Sequence, residues 1–173
     1  IRKEQLGELN DKYSTSLNNL ASLYQKLGKY EEARPLFLES MKIQEQISGK
    51  QSYDYALCLN NLGSSYFETG NYDDAQPYLE EALEVWGVVL GEDHPQYAII
   101  LLNLGVFYGT MNEYEAAEPL FLQAKTIMER TVGPSHPEYA AVIASMAANY
   151  TEMEAYEKAE PLYLESEKTY GAI

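Results

Sequence analysis

Apolar residues recur at helical spacing in two stretches of every 42 residues of the chain. The first stretch runs roughly from Tyr13 to Leu27, and its apolar positions are Leu17, Leu20, Ala21, Tyr24 and Leu27. This spacing predicts a helix with one apolar stripe, which we expect to pack against the second helix and the next repeat. The second helix is predicted from near Glu31 to about Ile47, because acidic residues at its start suit the positive end of the helix dipole.

The same residue types return in columns that are 42 residues apart. The clearest columns are Tyr24, Tyr66, Tyr108 and Tyr150; Tyr13, Tyr55, Tyr97 and Tyr139; Ala33, Ala75, Ala117 and Ala159; and Gly7, Gly49, Gly91 and Gly133. A period of this length is typical of stacked helix–turn–helix units, each of which buries its apolar face against its neighbours. We therefore predict an all-α fold, with one array over residues 1–173 and repeats at 7–48, 49–90, 91–132 and 133–173.

Both ends of the sequence fall inside a repeat. Residues 1–6 align with the end of a preceding repeat's second helix, and the fourth repeat is truncated at residue 173. We expect the chain to be a piece of a longer array, with exposed end faces that allow self-association.

The turn after each first helix needs a residue in the left-handed conformation. Gly28 and Gly70 suit that position, and Asn112 can serve there. Glu154 is a poor substitute, which predicts a looser last turn.

The recurring residues resemble the tetratricopeptide repeat (TPR). The resemblance is carried by Asn18-Asn19-Leu20-Ala21, Tyr24 and Gly28-Lys29-Tyr30-Glu31-Glu32-Ala33. The links Gly91-Glu92-Asp93-His94-Pro95-Gln96-Tyr97-Ala98 and Gly133-Pro134-Ser135-His136-Pro137-Glu138-Tyr139-Ala140 resemble those of the 42-residue, kinesin-light-chain type. The resemblance implies a right-handed α-solenoid whose first helices line a concave, peptide-binding groove.

The predicted groove surface is the side of each first helix opposite the apolar stripe. Successive residues of a helix are rotated by about 100° around its axis, which places four positions of each first helix on that side. They are Thr15, Asn19, Ser22 and Lys26; Leu57, Asn61, Ser64 and Glu68; Ile99, Asn103, Val106 and Thr110; and Ala141, Ser145, Ala148 and Glu152. The column of Asn19, Asn61 and Asn103 has two interpretations: the amides contact a ligand, or they bond to the neighbouring first helix and hold the repeat spacing.

Three of these groove positions, Leu57, Ile99 and Val106, carry branched aliphatic side chains, so we expect a partner or another segment to cover them. Some members of the family that the chain resembles bind acidic peptide tails through a carboxylate clamp, which needs several Lys and Arg residues on this face. Only Lys26 is present, so that function is rejected.

The net charge of −15 limits the choice of partner. From Gln51 to Ala124 there is no Lys or Arg, and this segment carries −12 of the total. Nucleic acid and anionic membrane surfaces would be repelled, whereas a basic ligand would be attracted. A second interpretation is that the acidic residues only keep the array soluble. No apolar run reaches the length of a membrane span, and the single cysteine favours a reducing, cytoplasmic setting.

No group of residues in the sequence has the pattern of a catalytic, cofactor or metal site. His94 and His136 precede proline in the repeat links, where capping or packing explains them. Cys58 is predicted to be a packing residue. Trp86 is predicted to be either a core residue or an exposed outer anchor, with partial burial favoured. The predicted function is therefore a non-catalytic scaffold that binds a peptide or protein segment. The alternative is a structural, self-assembling or intramolecular regulatory module of a larger protein.

Overall fold

The computed structural model describes residues 9–171, and within this range the chain forms eight α-helices and no strand. The helices are α1 (Asp11–Lys26), α2 (Tyr30–Ser48), α3 (Tyr53–Glu68), α4 (Tyr72–Leu90), α5 (Pro95–Thr110), α6 (Tyr114–Thr131), α7 (Pro137–Glu152) and α8 (Tyr156–Gly171). The predicted all-α class is confirmed. The predicted helix end at 1–6, Gly7 and the truncation at 173 lie outside the described residues, and the repeat boundaries stay a prediction.

The chain divides into two compact units, one ending at Val89 and the other beginning at Leu90. In unit 1, α1 packs against α2, and α2 packs against α3. In unit 2, α5 packs against α6, α6 against α7, and α7 against α8. Each unit therefore alternates first and second helices, as helix–turn–helix repeats require.

Small residues allow the helices of unit 1 to approach closely. Ala21, Ala33, Phe37 and Leu62 form one buried cluster across α1, α2 and α3. A Cβ atom built on Gly63 would lie 2.7 Å from the Leu79 Cγ, so only glycine fits there without a shift of α4 side chains. The absence of a side chain at Gly63 therefore lets α3 approach α4 closely.

Unit 2 has the same type of core. Ala117, Phe121, Met146 and Tyr150 are buried together in α6 and α7. A Cβ atom on Gly105 would lie 2.8 Å from the Phe121 Cε1. Burial of a side chain such as Phe121 contributes about 1.5–3 kcal/mol.

The prediction that the whole apolar stripe of α1 is packed is wrong for two leucines. Leu20 is 40% exposed and Leu27 is 60% exposed. Leu62, the equivalent of Leu20 in α3, is fully buried because α2 of the preceding helix pair covers it. Among residues 9–171 no helix pair precedes α1, so nothing in that range covers Leu20 in the same way.

Trp86 is a core residue, which confirms one of the two predicted alternatives, and it is buried more deeply than the favoured partial burial. Its ring is 1% exposed and stacks on Tyr53 with the ring centroids 5.7 Å apart. The indole Nε1–H donates to the Tyr53 carbonyl oxygen at 3.3 Å. A tyrosine at the start of α3 thus covers the indole and pairs its only polar atom.

The turn at Glu154 is not looser than the others. Glu154 has φ of 57° and Asn112 has φ of 61°, in the left-handed region where Gly28 and Gly70 also lie. After Glu154, the Ala155 N–H donates to the Tyr150 carbonyl at 2.8 Å, the same length as the equivalent bond after Gly28. The turn is closed in full, and Glu154 carries the backbone strain of a non-glycine residue.

The two histidines cap first helices, as predicted. The His94 Nδ1 accepts from the Gln96 N–H at 3.1 Å, and the His136 Nδ1 accepts from the Glu138 N–H at 3.2 Å. The prolines that follow occupy the first turns of α5 and α7, where a missing N–H is tolerated.

Candidate functional site

The predicted groove residues of unit 1 lie on one face of α1 and α3, which we name the unit 1 face. Its members are Thr15, Asn19, Ser22, Lys26, Leu57, Asn61, Ser64 and Glu68, and all are exposed or half-buried. A cavity of only about 80 Å³ lies beside Thr15, Asn19 and Leu57. The hydroxyls of Thr15 and Ser22 donate to carbonyl oxygens of their own helix, at 2.9 and 2.8 Å. The unit 1 face is therefore shallow.

The two asparagines of the predicted column in unit 1, Asn19 and Asn61, differ in their contacts. The Asn61 Nδ2 donates to the Asn18 Oδ1 at 3.1 Å, which joins α3 to α1. Asn19 is exposed on the same face. Asn61 thus makes the predicted bond to the neighbouring first helix, and the partner is Asn18, a residue that sequence reasoning did not single out.

A buried polar cluster lies behind the unit 1 face. The Gln44 Nε2 donates to the Asp11 Oδ1 at 3.0 Å and to the Ser14 Oγ at 3.1 Å. The Cys58 Sγ donates to the Ser40 Oγ at 3.3 Å, and burial raises the pKa of the Cys58 thiol to about 11. A thiol that stays protonated at neutral pH is a poor nucleophile, which agrees with the predicted packing role.

The predicted groove residues of unit 2 lie on α5 and α7 and form a deeper surface, which we name the unit 2 face. Its members are Ile99, Asn103, Val106, Thr110, Ala141, Ser145, Ala148 and Glu152. An open cavity of about 440 Å³ is lined by five of them, Val106, Thr110, Ser145, Ala148 and Glu152. A concavity of this size is within the range of small-ligand and side-chain pockets. The structure thus brings these five residues together, and ligand contact stays a prediction.

Two residues that sequence reasoning missed shape this cavity. Gly109 replaces the larger residues Gln25 and Phe67 of the corresponding positions, so it leaves space on α5. Asn149, on α7, lines the same space and is only 5% exposed. The available signal was that Gly109 falls outside every glycine column of the repeat.

A charged cluster links α6, α7 and α8 in unit 2. The Tyr150 hydroxyl donates to the Glu118 Oε1 at 2.7 Å, and the Lys158 Nζ lies 3.3 Å from the same oxygen. The hydrogen bond from Tyr150 lowers the pKa of Glu118, while burial and this bond raise the pKa of Tyr150 to about 12. Since every polar group here is paired within the chain, the cluster stabilises helix packing.

The described residues hold no group of three His, Cys, Asp or Glu side chains that is arranged to bind a metal ion. Within residues 9–171, no helix has both the length and the apolar composition for crossing a membrane.

A comparison with models of protein families assigns the family. The model of the tetratricopeptide repeat matches three overlapping segments, residues 12–85, 57–130 and 102–171. The chain belongs to the tetratricopeptide repeat family. No curated protein matches the chain.

Solved structures share the fold at low sequence identity. BtubC (BKLC) from P. vanneervenii is 23% identical with a TM-score of 0.82, and the match covers 92% of this chain and 63% of that one. A Podosopora anserina protein described as a kinesin light chain, with nearly identical TPR-like repeats, is 20% identical with a TM-score of 0.77, covering 99% and 81%. Aspartyl phosphate phosphatase F from Bacillus subtilis is 14% identical with a TM-score of 0.80, covering 93% and 41%.

These likenesses confirm the solenoid fold class and the kinesin-light-chain-like TPR type. The chain spans less than two thirds of BtubC and of the phosphatase, and at these identities the comparison concerns the fold alone.

Proposed function

We propose that this TPR array is a non-catalytic protein-interaction scaffold that binds a peptide or protein segment on the concave face of its first helices. TPR membership supports an interaction role in general. The observation that carries the more specific proposal is the cavity of about 440 Å³ on the unit 2 face, since it is concave and lined by residues at the predicted groove offsets.

The cavity has the mixed lining of a recognition site. Val106 supplies an apolar wall with the buried Phe121 behind it, Ala148 supplies an exposed apolar rim, and Ser145 and Thr110 supply hydroxyls. Apolar surface in an open concavity is unfavourable in water until a ligand covers it, and a few polar groups then fix the ligand's orientation.

The charge of the chain favours a basic partner, and the apolar part of the cavity lining favours apolar side chains. Between Leu90 and Gly171 there are 13 acidic residues and four basic ones. We propose that this surface attracts basic peptide segments and repels nucleic acids and anionic membranes. A reducing location such as the cytoplasm suits the single cysteine.

The test is selection of binding peptides from a random displayed library, followed by titration calorimetry with two matched variants. Ala148→Gln places a larger side chain at the cavity rim, and Ala116→Gln makes the same change at an exposed alanine of α6 that does not line the cavity. We expect a loss of at least about tenfold in affinity for Ala148→Gln alone, the effect of roughly one lost buried contact. Equal affinities for the wild type and Ala148→Gln would reject binding at this face.

The second candidate function is self-assembly, which one observation favours. Apolar side chains are exposed along α8, with Tyr156 at 61%, Leu164 at 59% and Tyr170 at 50%. Such a face suits contact with a second copy or with another segment of the parent protein. Light scattering from 5 to 500 μM tests it: a mass that rises with concentration and is lowered by Leu164→Glu supports assembly, and a constant monomer mass rejects it.

A further inference from the structure

The side chain of Asn149 carries a buried acceptor without a partner. Its Nδ2 donates to the Tyr114 carbonyl oxygen at 3.3 Å. A carbonyl only accepts, so this contact fixes the amide with its nitrogen toward Tyr114. The Asn149 Oδ1 is then buried with no hydrogen-bond partner in the described structure, although the side chain lines the unit 2 cavity. A buried acceptor of this kind is unfavourable until a donor reaches it.

Gly109 provides the space for such a donor. A Cβ atom built on Gly109 would lie 3.3 Å from the Asn149 Oδ1, which is closer than an ordinary van der Waals contact. Glutamine or phenylalanine stands at the corresponding positions 25 and 67, and either side chain would fill this space. The unpaired Asn149 Oδ1 and the space left by Gly109 therefore lie together in the unit 2 cavity.

The charge at the cavity has a single sign. Of the ten residues that line it, only Glu152 is charged, and it lies three residues after Asn149 on α7. Glu152 is exposed and has no ion pair within residues 9–171. The Thr110 hydroxyl donates to the Val106 carbonyl at 2.9 Å and the Tyr114 hydroxyl to the Asn112 Oδ1 at 2.7 Å. The cavity thus offers acceptors at its base and at its rim.

From this arrangement we propose that the unit 2 cavity accepts an arginine side chain of the bound peptide segment. The guanidinium donates to the Asn149 Oδ1 and to the Glu152 carboxylate, while its aliphatic stem packs on Val106 and Ala148. Arginine fits because its planar fork presents several donors at once, whereas lysine concentrates its charge on one strongly hydrated ammonium group. The inference rests on the proposed function, because it names the side chain that the peptide-binding face recognises.

The first test uses a small probe, so it does not depend on finding a peptide. N-acetyl-arginine amide is titrated into the ¹⁵N-labelled chain, with N-acetyl-citrulline amide as the uncharged isostere. We expect a saturable shift of the Asn149 side-chain amide with arginine, and binding about tenfold weaker or more with citrulline. Equal shifts with both probes, or no shift at Asn149, would overturn the proposal.

Variants then locate the probe. Gly109→Gln restores the residue that the first repeat carries and fills the space, so the shift should disappear. Thr126→Gln changes an exposed residue of α6 that does not line the cavity and should keep the shift. Glu152→Gln, an exposed and shape-preserving change, should weaken binding severalfold and reduce its salt dependence. Unchanged binding in Glu152→Gln would contradict the assigned charge contact, even if Gly109→Gln failed to fold.

The two proposals fail in different ways. Selected peptides that lack arginine but lose affinity with Ala148→Gln would overturn the arginine pocket and leave the peptide-binding face standing. If N-acetyl-arginine amide shifts the Asn149 signal but no library peptide binds, the arginine pocket is supported and the peptide-binding face is rejected.

Discussion

Replacing Glu154 with glycine should stabilise the protein. Glu154 occupies the left-handed turn between α7 and α8 with φ of 57°. A non-glycine residue there carries about 1–2 kcal/mol of strain, because its Cβ lies too close to the following carbonyl. The side chain is exposed and makes no hydrogen bond or ion pair within residues 9–171, so its removal breaks no contact.

The expected size of the effect follows from two opposing terms. Relief of the strain is partly offset by the greater freedom of glycine in the unfolded chain, about 0.4–1 kcal/mol. The net gain in unfolding free energy should be about 0.5–1 kcal/mol. For a chain of this length, that raises the melting temperature by about 1–4 °C.

Thermal and urea denaturation followed by circular dichroism measure the change. Glu154→Gln removes the same negative charge but keeps the Cβ, so it isolates the charge effect from the backbone effect. Glu160→Gly makes the same substitution inside α8, where glycine should destabilise by about 1 kcal/mol. A melting temperature of Glu154→Gly at or below that of Glu154→Gln would refute the strain argument.

Three further predictions follow. Because the pKa of Glu118 is lowered, its contribution to stability is present above the unfolded carboxyl pKa and lost as pH falls through the folded value. Urea unfolding between pH 7 and pH 3 should therefore show a smaller acid-dependent loss for Glu118→Gln than for the wild type. Cys58, with its pKa raised from 9.0 to about 11, should react with iodoacetamide at least about a hundredfold more slowly in the folded chain than in urea, and equal rates would contradict its burial. Asn61→Ala should lower the unfolding free energy by about 0.5–1.5 kcal/mol through loss of the bond to Asn18, whereas Asn19→Ala should change it little; equal effects would contradict this assignment.

The sequence predicted the features that repeat. The tyrosine and glycine columns placed the helix pairs and their turns, because each repeated residue fills the same packing or backbone role in every unit. Gly63 and Gly105 stand at one repeat position, and the structure shows that Leu79 and Phe121 approach them closely.

Features that depend on three-dimensional neighbours were not predicted. Leu20 has the same position in its helix as Leu62, but within residues 9–171 a preceding helix pair covers only Leu62. Trp86 is covered by Tyr53, which lies in a different helix and 33 residues earlier. The positions of residues around a single helix show neither the cover of Leu62 nor that of Trp86.

The candidate site was predicted in part. The wheel placed Val106, Thr110 and Ser145 on a shared face, and all three line the unit 2 cavity. The depth of that cavity depends on Gly109 and Asn149, which depart from the repeat pattern. Recurring residues indicate the packing that all repeats share, and they give no information on positions where one repeat differs from the others.

The most direct test of the central claim is protection of the unit 2 face by a selected peptide. In a Cys58→Ser background, which uses the residue found at the equivalent Ser16, a single thiol is introduced by Ala148→Cys or by Ala116→Cys. We predict that a saturating peptide slows alkylation at position 148 at least about tenfold and leaves position 116 unchanged, since a bound segment covers only the first-helix face. Equal alkylation at position 148 with and without the saturating peptide would contradict the account.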